Sequence, residues 1–184
     1  MTKRRKVANG ANIMTIIKNT QSGSILQVKH TQFTTTNTIT VAANTETIFT
    51  DLTVNITPIR ADSIIKLHAV VFGEYSNSSY SANSVFYFLR DSTKLAHTES
   101  AGNRRTGISA AVDNYHAPNA ASTPESAVLT YFDSGHNTTS QITYKLAFDT
   151  IYVGTYYLNR CVTDADNNEY ERGVSIISAT EIAP

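Results

Sequence analysis

The sequence holds one cysteine and no tryptophan in 184 residues. A single thiol, Cys161, excludes an internal disulfide framework. It lies in an alternating run with no base beside it, so it reads as a small buried hydrophobe, not a reactive nucleophile. Charge is also scarce. Charged residues make up 16% of the chain, and the formal net charge is zero. Bulk electrostatics then offer no affinity for nucleic acid or an anionic membrane surface. No apolar run reaches the roughly 18 residues needed to cross a bilayer. The basic start, MTKRRK, lacks the long apolar core and small-residue cleavage site of a secretory signal, so an intracellular assembly product is expected.

Chemical motifs are sparse in the same way. There is no G-x-S-x-G elbow, no phosphate-binding glycine loop and no C-x-x-C pair. His30, His68, His97, His116 and His136 show no metal-pair spacing. Asp164, Asp166 and Asn168 fill the first three ligand positions of a calcium loop, but Glu169 stands where glycine is needed and Ser175 where the bidentate glutamate belongs. DADNNEYE is therefore read as the polar tip of a hairpin joining the last two strands. Carboxylates that meet only in space could still form a glycosidase pair, about 5–10 Å apart in a cleft. The expectation is nonetheless a protein that is not an enzyme and carries no metal or cofactor.

What is present points to strands. Serine, threonine and asparagine are about a third of the residues, and they favour strands or turns for steric and hydrogen-bonding reasons. The length fits one domain, with residues 1–22 as an arm and 23–184 as the folded body. The arm is either a free tail or an anchor that orders on a partner. In the body, TETIFTDLTVNITP places Ile48, Leu52, Val54 and Ile56 at even positions, the period of a half-buried strand. SIIKLHAVVFGEY is almost continuously apolar, with His68 on a half-buried face. VFYFLRD turns through DST into KLAHTE as a hairpin. Thr106–Val112, SAVLTYFDS, QITYKLAFDT, TYYLNRCVT and GVSIISATEI complete about ten strands. Regular strands with turn punctuation predict an all-β sandwich or barrel.

Three surface features carry candidate function. GNRRT supplies Arg104 and Arg105, read as an anion contact, an intersubunit bridge or a local ion pair. Tyr75, Tyr80 and Tyr115 fall among Ser, Asn and Ala in predicted outer loops at 74–84 and 113–125, a composition that suits adaptable ligand contacts and equally suits rim packing. The sequons at Asn55, Asn77 and Asn137 matter only in a secretory pathway.

GSILQV, FTDLTVNITP, SIIKLHAVV, FYFLRDST, AGNRRTG, YFDS with ITYKLAF, and LNRCVTDADNNEYERGVSIISATEIAP follow one another in that order. Together they resemble a β-rich domain common among virion proteins of tailed phages, especially marine ones, over about residues 23–184. The resemblance implies a jelly-roll-like antiparallel β-sandwich, a virion location, homotrimeric assembly and contact with major capsid or tail proteins. The domain here follows a short basic arm instead of a long fibre shaft, which favours a capsid decoration, cement or spike protein over a tail-fibre tip. On that reading Lys3, Arg4, Arg5 and Lys6 dock the arm on the particle. A receptor-binding module holding a host-surface glycan is the alternative.

Overall fold

The computed structural model describes residues 21–76, 83–99, 101–110, 122 and 124–184. Among them there is no helix. Eleven strands form two antiparallel sheets, as an all-β sandwich requires. The strands are β1 (Ile25–Phe33), β2 (Asn37–Val41), β3 (Thr47–Ile56), β4 (Ile64–Ser76), β5 (Ser84–Arg90), β6 (Thr93–Leu95), β7 (Ser109–Ala110), β8 (Glu125–Asp133), β9 (Ile142–Thr150), β10 (Gly154–Leu158) and β11 (Ser175–Ile182).

The first sheet is built on β4. β8 lies along one edge of it, and β11 and β10 lie end to end along the other. β1 then pairs with β11, and β2 with β10. The eleven strands thus reduce to eight lines. One sheet runs β1/β2, β11/β10, β4, β8, and the other runs β3, β9, β5, then β6 and β7. Consecutive lines repeatedly cross from one sheet to the other, so each connection closes an end of the sandwich.

The core is aromatic where the sheets meet. Phe86 and Phe148 lie 4.8 Å apart between ring centroids, Phe49 and Tyr156 5.0 Å apart, and Phe49 and Phe86 meet edge-on at 5.8 Å. Such pairs add about 0.5–1.5 kcal/mol each beyond their buried area. Period-two alternation supplies the aliphatic remainder: Ile65, Leu67, Ala69 and Val71 of β4, and Ile177 and Ala179 of β11, are fully buried.

Four sequence expectations need correction. The last two strands do not form a hairpin, because β10 and β11 are successive pieces of one line against β4, and DADNNEYE belongs to an excursion over 159–174 pinched by an Arg160–Arg172 bridge. Ile48 does not share the buried face of Leu52. The β3–β9 register shifts between Phe49 and Thr53, so Phe49 turns inward and Ile48 is 37% exposed. Of the strand expected over Thr106–Val112, residues 106–108 are not strand and Ser109–Ala110 are, while 111–112 lie outside the described residues. β2, within a threonine-rich run, was not anticipated. Cys161 is buried, and the β5–β6 hairpin turns at Asp91 as expected.

The excursion interrupts its strand line opposite another break. Phe33 pairs with Ser175 and Asn37 with Leu158, leaving Thr34–Thr36 facing the point where the chain leaves the sheet. Asn159 occupies that point, buried and at φ 62°, a conformation asparagine tolerates better than most residues. Its Nδ2 donates to the carbonyls of Phe33 at 2.7 Å and Thr35 at 2.8 Å, and its Oδ1 accepts from Ser175 Oγ at 2.6 Å. Its backbone N–H donates to Phe72 O at 2.9 Å, and its carbonyl accepts from Gly173 N at 3.2 Å. A Cβ on Gly173 would run into the Phe72 ring, so glycine is needed where the chain rejoins the sheet. Asn159→Ala removes three side-chain bonds, one buried and two partly buried, and adds left-handed backbone strain. We expect a loss of about 2–4 kcal/mol in urea unfolding, with Asn159→Gly in between because it relieves only the strain. An Asn159→Ala variant as stable as the wild type would remove the seam from this account.

Candidate functional site

Three places concentrate polar or exposed side chains: one end of the sandwich, the outer face of the β4 sheet, and a pocket on the β5 sheet.

At the sandwich end, Glu181 on β11 points inward, fully buried. Its carboxylate accepts from the backbone N–H groups of Ile59 at 2.9 Å and Arg60 at 3.0 Å, from Ser63 Oγ at 2.8 Å and from Gln27 Nε2 at 2.7 Å. His136 lies against Ser63, with Nε2 2.9 Å from the Ser63 carbonyl and 3.3 Å from its Oγ. The three residue types match a hydrolase triad, but the geometry does not. A carbonyl can only accept, so Nε2 carries a proton and cannot take one from Ser63. Glu181 binds the serine, not the imidazole. Close by, Asp133 accepts from Arg90 and from Tyr144 Oη, each at 2.7 Å, and so ties β8 to β5 and β9 across the sandwich. Burial and the Asp133 bond push the Tyr144 hydroxyl pKa far up, fixing it as a donor. Sequence reasoning left His136 as a loop residue, and no local spacing marks its burial or its partner 73 positions away.

The outer face of the β4 sheet follows from register, since cross-strand partners share a face. One row runs Val128, Val70, Ile176, Gln32. The next runs Thr130, His68, Ser178, His30, and the next Phe132, Lys66, Thr180, Val28. Ile64, Ile182 and Ile25 extend it. Phe132 is 55% exposed, Val128 57%, Val28 53% and Ile25 67%. These rows contain no carboxylate, and the Lys66 ammonium lies 5.9 Å from the Phe132 ring centroid.

The pocket lies on the outer face of the other sheet, which is partly covered by the segment after β6. There Tyr87, Leu89 and Ala147 are buried beneath Ala96 and Ile108. Arg105 is one of the two arginines singled out from the sequence. Its Nη1 reaches Asp149 Oδ1 at 2.5 Å, and its Nη2 donates to Asn44 Oδ1. Arg104 is exposed, and among the described residues its guanidinium donates a single 3.3 Å bond, to the Ala101 carbonyl. Tyr87 Oη donates to Glu46 at 2.8 Å, and Lys94 Nζ sits 3.9 Å from the Tyr87 ring centroid.

Tyr75 departs from its expected role. It is the penultimate residue of β4, not a loop residue. Its ring packs 5.3 Å from Phe148, and its hydroxyl donates to Tyr152 O at 2.9 Å, so it is a rim-of-core side chain. Lys3, Arg4, Arg5, Lys6, Tyr80 and Tyr115, and the sequon at Asn77, lie outside the described residues. In the excursion, Asp164 accepts from Arg172 at 2.8 Å and 2.9 Å, so that side chain is committed to an ion pair.

The Glu181 network predicts a pH dependence. Burial alone would raise its pKa, but the donors from Ile59, Gln27, Ser63 and Arg60 outweigh it and hold the carboxyl below its ordinary value of 4.5. A depressed folded pKa contributes stability that is complete above the unfolded pKa and disappears as pH falls through the folded one. Unfolding free energy of the wild type should therefore drop below about pH 4.5 more steeply than that of Glu181→Gln. Parallel urea-derived stability profiles for the two proteins would show that Glu181 is not the responsible group.

No family model matches the sequence. No curated protein matches it. Among solved structures, a chain from the structure of infectious bursal disease virus, Gx strain, aligns with 96% of this chain and 45% of its own length, at a TM-score of 0.36 and 13% identity. This chain thus spans less than half of that neighbour, and a likeness of that size carries no argument.

Proposed function

We propose that the protein is a structural component of a virus particle, working by assembly and contact and not by turnover. The observation that carries this reading is the outer face of the β4 sheet. It is four strand lines wide and exposes Phe132, Val128, Val28 and Ile25 to solvent. Four lines at about 4.8 Å and roughly eight residues at about 3.3 Å give a plan area on the order of 500 Å2. Side-chain relief brings such a face toward the roughly 800 Å2 per partner of a standard interface. The one formally charged side chain in these rows is Lys66, 5.9 Å from the Phe132 ring centroid, so a contact here desolvates little charge. A second copy of this chain is the occupant we assign to it.

The crossing of consecutive lines between two four-line sheets supports the jelly-roll reading of the sandwich. With the resemblance to tailed-phage virion domains, it supports a virion-surface decoration, cement, spike or tail-fibre component, assembled as a homotrimer and docked on capsid or tail proteins. The basic arm carrying Lys3, Arg4, Arg5 and Lys6 would make the docking contact.

The test combines light scattering with particle analysis. The wild-type chain should run at a multiple of its 20.1 kDa mass. The double variant Val128→Asp, Phe132→Asp should run as a folded monomer by circular dichroism and should be missing from purified particles. A wild-type monomer, or particles that incorporate the variant normally, would overturn the assignment.

A further inference from the structure

The pocket on the β5 sheet has a volume of about 660 Å3, within the roughly 300–1,000 Å3 range of small-molecule sites. It lies on the opposite side of the sandwich from the assembly face, and its argument does not depend on the particle reading. Three side-chain cations line it, Lys94, Arg104 and Arg105, against one carboxylate, Asp149. Asp149 is already matched by Arg105 at 2.5 Å and Glu46 also acts on Lys94, so the net positive charge of the lining is carried by Arg104.

The two arginines, adjacent in sequence, differ in what holds them. Arg105 is fixed by Asp149 and Asn44, and its Nε is buried without a hydrogen-bond partner. Arg104 is exposed, and among the described residues its guanidinium donates a single long bond, to a backbone carbonyl. Lys94 is exposed and held over the Tyr87 ring, with its ammonium 3.9 Å from the ring centroid. An ammonium beside an exposed guanidinium attracts an oxyanion, because both can donate charge-assisted hydrogen bonds to it. The lining also includes the amides of Asn44 and Asn83, which suit hydroxyl groups, and it is too open and too polar for an apolar ligand.

We propose that this pocket binds the oxyanion of a small polyhydroxylated ligand, with an acidic sugar unit as the fitting class. Arg104 and Lys94 would face the charged group, Asn44 and Asn83 the hydroxyls, and the Arg105–Asp149 pair would hold the wall in place.

The experiment is an NMR titration of the full chain with glucuronate, glucose and inorganic phosphate, repeated on Arg104→Ala. Glucuronate should shift the amides of 102–106 and of Asn44 saturably. Glucose should not, and phosphate should bind more weakly than glucuronate. Arg104→Ala should weaken glucuronate binding roughly tenfold, the equivalent of one charge-assisted bond, while leaving the spectrum of the β-body unchanged. Lys94→Met, which keeps the aliphatic cover on Tyr87, should weaken it similarly. Equal binding of glucose would overturn the anion assignment, and phosphate binding as tightly as glucuronate would overturn the sugar assignment. No saturable shift, or unchanged affinity in both variants, would overturn the site.

Discussion

Two strand lines of one sheet break at the same level, and a single asparagine closes both gaps. Without Asn159, the partly buried carbonyls of Phe33 and Thr35 would lose their donor opposite an empty stretch of line, and Ser175 would lose its acceptor. A buried backbone group left unpaired costs about 1–3 kcal/mol, comparable to a sizeable part of a small domain's net stability. The seam therefore makes the excursion over 159–174 tolerable. The insertion leaves the sheet and returns to it without disturbing the β4 register on either side. Ser175 completes the repair by accepting from Phe72 N at 2.9 Å, a donor with no strand partner at that level of the line.

The same economy governs the sandwich end. Glu181 and Asp133 are buried carboxylates, and each is surrounded by donors from several elements. Burial of a charge is costly unless such donors converge on it. Because the donors come from the 57–63 connection, from β5 and from β9, these carboxylates lock loops and sheets to one another. Conserving charge inside leaves less of it outside. With charged residues only 16% of the chain and several pairs committed to internal bonds, the outer face of the β4 sheet is left to apolar and hydroxyl side chains.

The strands were legible because apolar runs alternate or persist between turn clusters: SAVLTYFDS, QITYKLAFDT and GVSIISATEI match β8, β9 and β11 to within two residues, and the apolar run from Ile64 to Phe72 locates β4 but not its end at Ser76. The pattern failed where local geometry breaks the period. The shift after Phe49 reverses which side of β3 is buried, and alternation cannot reveal it. β5 reads as apolar on both faces because a later segment covers its outside, a tertiary fact. β10 and β11 were recognisable as strands, but their collinearity depends on the 13-residue length of β4, which gives both pieces one edge to share. Of the candidate site, the arginine pair was visible as the one basic cluster in the body, yet its division into a fixed Arg105 and an exposed Arg104 depends on Asp149 and Asn44, more than forty positions away in sequence. Tyr75 misled for the opposite reason. Its Ser and Asn neighbours look like a loop, while its ring belongs to the core.

The two outer faces of the sandwich are chemically unlike, and the difference has a topological cause. The β4 sheet has no covering segment among the described residues, so its outward side chains meet solvent directly. The β5 sheet is partly roofed by the chain between β6 and β7, and a roof over a sheet creates concavity at its margins. An exposed apolar face gains free energy by excluding water over a wide area, which only another macromolecule can do. A concave, polar margin gains it by matching a few donors and charges to a small molecule. The two proposed contact surfaces, one for a large partner and one for a small ligand, lie on opposite sides of a shared aromatic core, so either surface can change without repacking the other.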